Sequence, residues 1–356
     1  MGSGKTTLLN ELLRDPAFSE TAVLINEFGD VQIDHDLVAD FSAELITTTT
    51  GCLCCTASSD IKQALFDLWR QRKDRRIGPF RRVIVETTGL LDPAPVLNAL
   101  LTPHAPSLVD TIVKSQFALS HVISLVDSVT AVESFANNPE AQRQAAFADI
   151  ALLSKTDLLA ETDAPRARRA AERLVASVNP GARILDRQRD WSALRAVLMD
   201  PGRYDLSEKS EAALAWLDAE RVHAAAHEHH HEHDHDHDHD HDHDHAHAHS
   251  IDRNRHSAEI RSHVIFRDDP VTRAGLKAFI AKVKASAGPD LLRVKGLLRL
   301  QDDPERPVVV HGVQHLVHPV RQLEQWPSED RRTRIVLIGE NLAPEAYREA
   351  LDGDGL

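Results

Sequence analysis

The sequence has few thiols, no long apolar run and no leader-like start. Its 356 residues include three cysteines, and no stretch approaches the ~18 consecutive apolar residues that a membrane-spanning helix needs. No signal peptide precedes the first motif, so we expect a cytoplasmic protein. In that compartment, three thiols indicate metal binding or catalysis rather than disulfide bonds.

Positive charge is also in short supply. The chain has 41 Lys and Arg residues against 55 Asp and Glu, which gives a formal net charge of −14 with the 22 histidines counted as neutral. An acidic chain is repelled by phosphate backbones and anionic lipids, so we expect neither nucleic acid nor a membrane as the main partner. Aromatic residues make up 4%, yet a hydrophobic content of 42% is enough for the two cores expected at this length.

The three cysteines lie within five residues, at Cys52, Cys54 and Cys55 behind Gly51. Thiols used as ordinary small apolar side chains would be scattered along the chain. Clustered thiolates are suited to one shared borderline-soft cation such as Zn²⁺. We predict a glycine-led turn in which two or three of them contribute to a tetrahedral metal site; a redox or chance cluster is the alternative.

Three segments are visible along the chain. Residues 1–222 alternate short β-branched runs with helical patterns, which predicts an α/β domain with a parallel sheet and helices on both faces. Residues 223–255 are dominated by His-Asp repeats and predict a disordered linker when free of metal. Residues 256–356 predict a smaller α+β domain. The predicted strands are residues 22–25, 83–85, 121–126, 150–153, 262–266, 291–300, 308–311 and 335–338, and the later helices are residues 272–285 and 344–351.

The chain begins with a glycine-rich segment that runs into a helical pattern. Such a segment offers backbone N–H groups to phosphates at a helix N-terminus. Lys5 then reaches the β- and γ-phosphate oxygens and the Thr6 hydroxyl ligates Mg²⁺; a chance Gly-Lys-Thr at a helix start is the alternative. The predicted nucleotide-binding residues here are Gly2, Ser3, Gly4, Lys5, Thr6 and Thr7.

The full phosphate-loop pattern has a glycine five positions before Gly4, and the sequence has no residue there. The strand that normally feeds this loop, in the middle of the sheet, is absent with it. We therefore expect Met1 to be an internal methionine of a longer native chain. We also expect two strands of the sheet to lack a neighbour.

Two later segments predict the rest of a nucleotide site. A buried strand ends in Glu86 and is followed by Gly89, where a P-loop enzyme places its Mg²⁺-side carboxylate and a backbone N–H near the γ-phosphate. Lys5, Glu86 and Gly89 are therefore the predicted catalytic residues. Another strand is followed by Ser154, Lys155 and Asp157, and the Asp157 carboxylate could accept hydrogen bonds from guanine, which selects GTP over ATP.

Together these motifs resemble the CobW family of P-loop GTPases, metal chaperones related to the hydrogenase and urease nickel-insertion GTPases. The resemblance covers nearly the whole chain, and its C-x-C-C element is specific. It implies that the turn around Glu27 lies beside the cysteine turn, which makes Glu27 the best candidate for a further metal ligand. The matching segments are residues 2–7, 26–29, 51–55, 86–89, 154–157 and the C-terminal signature Arg293-Val294-Lys295-Gly296.

A histidine tract runs from His229 to His249, with Asp at most alternate positions. Imidazoles on a flexible chain bind Zn²⁺, Co²⁺, Ni²⁺ or Cu²⁺ weakly at several sites. We predict a metal antenna or store; a merely solubilising linker is the alternative. His229, His231, His233 and His235 are the candidate ligands named within it, whereas the histidines of residues 311–318 are expected to alternate across a strand pair.

The sequence thus predicts a GTP-hydrolysing metallochaperone that carries zinc, or alternatively cobalt, to a client metalloprotein. Turnover should be slow, because no arginine finger or water-positioning residue is identifiable from the sequence. The C-terminal domain is expected to dock the client or a second copy as a homodimer. Two other functions remain open: a metal buffer with a vestigial nucleotide site, and a metalloenzyme activator that carries no metal.

Overall fold

The structure is a computed structural model that describes residues 2–25, 45–47, 53–89, 91–101, 107–200, 260–286, 290–314, 316–317 and 320–353. For residues 45–47 and 53–60 it describes the backbone alone. None of the helices in these ranges is long and apolar enough to cross a membrane.

The first part of the chain forms a parallel sheet of three strands in the order β2-β1-β3. β1 is central and fully buried, because its run of small and branched apolar residues meets side chains on both faces. Ile25, its last residue, pairs in register with Thr47 of β2 and with Glu86 of β3. The strands are β1 (Thr21–Ile25), β2 (Leu45–Thr47) and β3 (Arg82–Glu86).

A second parallel sheet of three strands follows in the order β4-β5-β6. Its central strand β5 is buried at every position, as expected for a strand covered on both faces. The strands are β4 (Ile123–Asp127), β5 (Ile150–Ser154) and β6 (Arg183–Asp186).

Helices connect and cover these strands, as parallel pairing requires. The first of them buries Leu8, Leu9, Leu12 and Leu13, one apolar stripe at helical spacing. The helices are α1 (Lys5–Arg14), α2 (Leu53–Lys73), α3 (Pro93–Leu101), α4 (Leu108–Gln116), α5 (Ala131–Asn137), α6 (Pro139–Phe147), α7 (Ala164–Val178) and α8 (Trp191–Met199), with 3₁₀ turns at Pro16–Phe18 and Thr156–Leu158.

A cleft separates β3 from β4. Residues of both strands line it, and its volume is about 440 Å³. Within the described part of the chain β3 pairs with β1 and β4 with β5, and no strand pairs with the edges that face the cleft.

The C-terminal part is an antiparallel sheet with two helices on one face. Its main path is β10-β9-β8-β12-β7, and β11 pairs with β9. The α+β prediction is confirmed, and His311 lies on β9 opposite Lys295 of β8. The elements are β7 (Ile260–Arg267), α9 (Arg273–Ala285), β8 (Leu291–Leu298), β9 (Val308–Val313), β10 (Leu316–Val317), β11 (Arg321–Gln322), β12 (Thr333–Glu340) and α10 (Pro344–Asp352).

One apolar core joins the two parts. Phe147 of α6 and Val175 of α7 belong to the same buried cluster as Leu292, Leu297 and Val336 of the C-terminal sheet. The sheet therefore packs its second face on α6 and α7, and both of its faces are covered. The domain boundaries 1–222, 223–255 and 256–356 stay a prediction.

The predicted elements are present with small shifts, and four strands were not predicted. The strand predicted at residues 291–300 ends at Leu298, after which the chain bends and Val271 forms an isolated bridge with Leu300. β2, β6, β10 and β11 were missed because they are only two to four residues long, too short to show a period of two.

Candidate functional site

The predicted phosphate loop leads directly into α1. Gly2 and Gly4 have φ angles of +77° and +91°, a conformation that favours glycine. The Gly4 carbonyl accepts the first helical hydrogen bond from the Leu8 N–H at 3.0 Å. The N–H groups of the first turn of a helix have no partner within it, so this geometry is compatible with phosphate binding, which stays a prediction.

Thr6 and Glu86 meet at the carboxyl end of β3. The Thr6 Oγ1 donates a hydrogen bond to Glu86 Oε1 at 3.3 Å, across 80 residues of chain. A hydroxyl and a carboxylate oxygen are hard ligands of the kind that Mg²⁺ takes in nucleotide sites. The donor set and its spacing therefore fit one Mg²⁺ between the phosphate loop and β3.

Gly89, the predicted γ-phosphate sensor, is held by a residue that sequence reasoning missed. Gln144 of α6 donates through Nε2 to the Gly89 carbonyl at 3.1 Å and to the Leu91 carbonyl at 3.0 Å. Nothing in the sequence pattern marked Gln144, because it lies in the middle of an otherwise ordinary helix.

The predicted base-reading segment follows β5 and contacts the phosphate loop. The buried Ser154 donates through Oγ to the Ser3 carbonyl at 2.8 Å. Lys155 has a φ angle of +60° and its Nζ lies 2.6 Å from Asp127 Oδ2. Asp157 is exposed in the 3₁₀ turn, where it is accessible to a base. The structure therefore brings these segments together as expected.

The loop after β6 is a second group that the sequence analysis missed. Asp186 Oδ1 accepts from Thr156 Oγ1 at 3.1 Å, so this loop supports the base-reading segment. Arg187 forms a two-point ion pair with Glu11 of α1 and lies next to Gly4. The only available signal was a short apolar run before an acidic residue, which is too weak to identify β6 by itself.

Some of these residues also line the cleft between β3 and β4. Its lining includes Ser3, Lys5, Glu86, Gly89 and Asp127. Lys5, Glu86 and Gly89 therefore border one cavity, whereas Ser154, Lys155 and Asp157 are not among its lining residues.

The predicted transition-metal ligands lie largely outside the described residues. Glu27, Cys52 and the histidine tract with His229, His231, His233 and His235 are among those outside. Cys54 and Cys55 are described by their backbone, which places them in the first turn of α2. The prediction that all three cysteines lie in a turn is therefore wrong for these two. Within the described residues no group of three or more His, Cys, Asp or Glu side chains is arranged to hold a metal ion.

The C-terminal signature connects the two parts of the chain. Arg293 donates to the carbonyls of Phe147 and Ala148 at 2.8 and 2.9 Å and lies 2.5 Å from Asp149 Oδ1. Burial raises the pKa of Asp149, but the charges of Arg293 and Lys295 and the Val122 N–H outweigh it and hold that pKa below its usual range. Asp149 directly precedes β5, the strand that leads to the base-reading segment.

Comparison with known proteins agrees with these observations. Residues 1–186 match the family model described as the CobW/HypB/UreG nucleotide-binding domain, and residues 260–353 match the cobalamin synthesis protein cobW C-terminal domain. The zinc chaperone YjiA of Escherichia coli is 29% identical over 353 residues, covering 99% of this chain and 95% of that protein. The zinc chaperone YeiR of the same organism is 35% identical over 159 residues, 44% of each chain.

Solved structures support the same fold. The crystal structure of Zn(II)-bound YjiA GTPase from E. coli matches with a TM-score of 0.63 at 23% identity, over 99% of this chain and 95% of that one. The first family model alone covers more than half of the 356 residues. The chain therefore belongs to the CobW/HypB/UreG nucleotide-binding family and carries the CobW C-terminal domain.

Proposed function

We propose that this protein is a GTP-hydrolysing metallochaperone. It binds zinc, with cobalt as the alternative cargo, at Glu27, Cys52, Cys54 and Cys55 and delivers the ion to a client metalloprotein in the cytoplasm. The relatives named zinc chaperones support zinc. The client, or a second copy of the chain, would dock on the C-terminal domain.

The observation that carries the proposal is the register of β1. Ile25 pairs with Glu86 on one side and with Thr47 on the other. Neighbouring strands lie ~4.8 Å apart, so the three strand ends form one edge about 10 Å wide. Glu27 follows Ile25 by two residues and Cys52 follows Thr47 by five. The segments that lead to Glu27 and Cys52 therefore leave the sheet at the edge where Glu86 lies, and this supports the proposal.

In this proposal the described residues have distinct roles in hydrolysis. Lys5 and the first turn of α1 bind the β- and γ-phosphates, and Asp157 accepts hydrogen bonds from guanine. Thr6 and Glu86 would hold Mg²⁺, which neutralises phosphate charge when bound. The Gly89 segment, residues 87–92, contacts the γ-phosphate and changes position when that group is lost.

Metal loading follows from the shared edge. Thiolates bind the ion only when deprotonated, so affinity should depend on pH as well as on nucleotide. GTP orders the segments after β1 and β3 and tightens the thiolate site, and hydrolysis loosens it and releases the ion. The coupling is a two-state switch biased by the γ-phosphate.

The test is a competition measurement of Zn²⁺ and Co²⁺ affinity against a chelator, with and without Mg²⁺ and a non-hydrolysable GTP analogue. A chain lacking residues 229–249 removes the weak histidine sites. We expect the GTP analogue to tighten one stoichiometric site by tenfold or more, about 1.4 kcal/mol. An ATP analogue is the matched control and should have no effect. The double substitution C54S/C55S should abolish the site.

A metal buffer is the second candidate, favoured by the histidine tract itself. It would bind several ions along residues 229–249 without regard to nucleotide. The buffer would be favoured, and the chaperone contradicted, if the GTP analogue left metal affinity unchanged and deletion of the tract removed nearly all bound metal.

A further inference from the structure

Helix α6 lies between the Gly89 segment and the C-terminal sheet, and three consecutive residues on it contact one or both of them. Gln142, Arg143 and Gln144 each place a polar side-chain atom within hydrogen-bond distance of a residue on another element. A helix that connects two parts in this way can transmit a shift of one part to the other, provided that its contacts at both ends are specific.

The contacts on the nucleotide side hold the backbone around Gly89. Gln144 donates to the carbonyls of Gly89 and Leu91, and Arg143 Nη1 lies 2.9 Å from Asp92 Oδ2. The other carboxylate oxygen of Asp92 accepts from the Ala94 N–H at 2.9 Å, in the first turn of α3. Asp92 therefore belongs both to the end of the γ-phosphate segment and to the start of a helix.

The contacts on the other side hold the paired ends of two C-terminal strands. Arg143 Nη2 lies 2.6 Å from Oε1 of Glu340, the last residue of β12. Glu340 pairs in register with Ile260 of β7, whose N–H donates to Gln142 Oε1 at 3.4 Å. The paired ends of β7 and β12 are thus both attached to α6.

Arg143 is the residue common to both sides. Its guanidinium has two nitrogens occupied by two carboxylates from different parts of the chain, a geometry that a lysine ammonium does not reproduce. Burial alone would lower the pKa of Arg143, but Glu340 and Asp92 raise it above its usual value. The Arg143 guanidinium therefore stays charged over the physiological pH range.

We propose that Arg143 is a positioning residue through which Glu340 of the C-terminal domain holds the Gly89 segment in its γ-phosphate-binding position. The inference rests on the proposed GTP binding and extends it. It makes the C-terminal domain part of the γ-phosphate response, although none of the residues described in that domain lines the cleft that Lys5, Glu86 and Gly89 border. By reciprocity, any partner that displaces the β7 and β12 ends changes the affinity for the γ-phosphate by the same factor that GTP changes the affinity for that partner.

The first test compares binding of GDP and of a non-hydrolysable GTP analogue, both with Mg²⁺, to the full chain and to Glu340→Gln. The substitution keeps the shape and removes the charge that holds Arg143. We expect the GTP analogue to bind about fivefold or more weakly, the lower end of ordinary coupling between sites, and GDP to bind unchanged because it lacks the γ-phosphate. Equal affinity of the variant and the parent for the analogue would overturn the proposal.

Two further variants distinguish the action of Glu340 through Arg143, here called the relay, from a general weakening of the contact between the two parts. Ser262→Ala removes a different hydrogen bond between the two parts, from Ser262 Oγ to the Ser177 carbonyl at 3.0 Å, and should leave both nucleotides unaffected. Arg143→Met should reproduce Glu340→Gln, and the double variant should be no weaker than Arg143→Met alone, because both act through one contact. Additive losses, or the same loss in Ser262→Ala, would contradict the relay.

Hydrogen exchange on the nucleotide-free chain keeps the inference separate from the proposed function. Glu340→Gln should raise the exchange of amides in residues 87–92 and leave residues 127–130, on the base side, unchanged. Unchanged exchange at residues 87–92 would overturn the relay. If the unsubstituted chain binds neither nucleotide while this exchange effect is present, the proposed function fails and the structural link between Glu340 and the segment stands.

Discussion

The Asp149 cluster and the Arg143 bridge are ionic contacts that join the C-terminal domain to the nucleotide-binding domain, and they differ in burial. The Asp149 cluster consists of Asp149, Arg293 and Lys295, whose side chains are 20%, 1% and 2% exposed. The Arg143 bridge consists of Arg143, Asp92 and Glu340, at 23%, 34% and 11%. The cluster lies before the strand that leads to the base-reading segment, and the bridge lies after the γ-phosphate segment.

The difference indicates which contact is permanent. Separation from Asp149 would leave the buried Arg293 and Lys295 without water, so the Asp149 cluster should remain closed while the protein is folded. Charges that are about a quarter exposed are resolvated when they separate, so the bridge can open at a small cost. Hydrolysis removes the γ-phosphate and leaves the guanine unchanged. The more permanent contact, the Asp149 cluster, therefore lies on the base-reading side, which does not need to move.

The largest predicted effect is on the Asp149 cluster. Asp149→Ala removes the carboxylate that pairs with the buried Arg293 and Lys295, and it removes the acceptor of the Val122 N–H at 3.0 Å. We expect a loss of about 3–5 kcal/mol of unfolding free energy. Urea denaturation followed by circular dichroism at pH 7 measures it. A loss below 1 kcal/mol would mean that the Asp149 cluster contributes no more to the unfolding free energy than the Arg143 bridge does.

The pH dependence checks the same contact. The pKa of Asp149 is lower in the folded state than in the unfolded chain, so its stabilising effect is present above the unfolded value of about 3.9 and is lost as pH falls through the folded pKa. The difference in stability between the parent and Asp149→Ala should therefore be constant near neutrality and shrink below that value.

A substitution of Lys295 tests whether the second buried cation of the Asp149 cluster contributes to stability. Burial and the neighbouring Arg293 lower its pKa well below 10.5. The folded state therefore binds fewer protons than the unfolded state between that lowered pKa and about 10.4, and stability should rise with pH in this window. We expect Lys295→Met to be neutral or to stabilise by about 1–2 kcal/mol at pH 7, and to abolish the alkaline rise.

Met is a close match in length, so packing alone should not reverse this result. A loss of stability in Lys295→Met would show that Asp149 requires both cations, because Arg293 is left as its partner in the variant. The comparison of melting temperatures at pH 7 and pH 9.5 distinguishes the two cases.

The motifs and the main elements could be predicted from the sequence. Gly4, Lys5 and Thr6 determine local backbone geometry and chemistry within a few residues, and the apolar runs before Glu86 and Ser154 can be identified as strands. The carboxyl ends of parallel strands meet at one edge, so these residues were expected to come together. The resemblance to the CobW family added the second domain.

The contacts between the parts could not be predicted in this way. Gln144, Arg143 and Glu340 are ordinary polar residues whose roles depend on how two sheets pack on α6. Their pairings span up to 197 residues of chain, and no local period encodes such a partner. The signature around Arg293 was noticed as a motif, but its contact with Asp149 appears only in the folded structure.

Ser154 gives a smaller effect on the base side. Its Oγ donates to the Ser3 carbonyl at 2.8 Å and is completely buried with the rest of the side chain. We expect Ser154→Ala to cost about 1 kcal/mol of stability, since it leaves the half-buried Ser3 carbonyl without this donor. It should also weaken GDP and the GTP analogue equally, because both contain guanine. Selective weakening of the analogue would place Ser154 with the γ-phosphate segment instead.

The smallest effect on stability should come from the bridge. Glu340→Gln leaves Arg143 paired with Asp92 and partly hydrated, so we expect a loss of only about 0.5–1 kcal/mol of unfolding free energy. The same variant is expected to weaken the GTP analogue about fivefold, whereas Asp149→Ala acts mainly on stability. The two contacts are thus distinguished by opposite profiles: a large stability loss with little nucleotide discrimination for Asp149, and the reverse for Glu340. If both variants lost stability and nucleotide affinity in the same proportion, the two contacts would behave as one continuous interface. Burial would then not distinguish a permanent contact from one that opens.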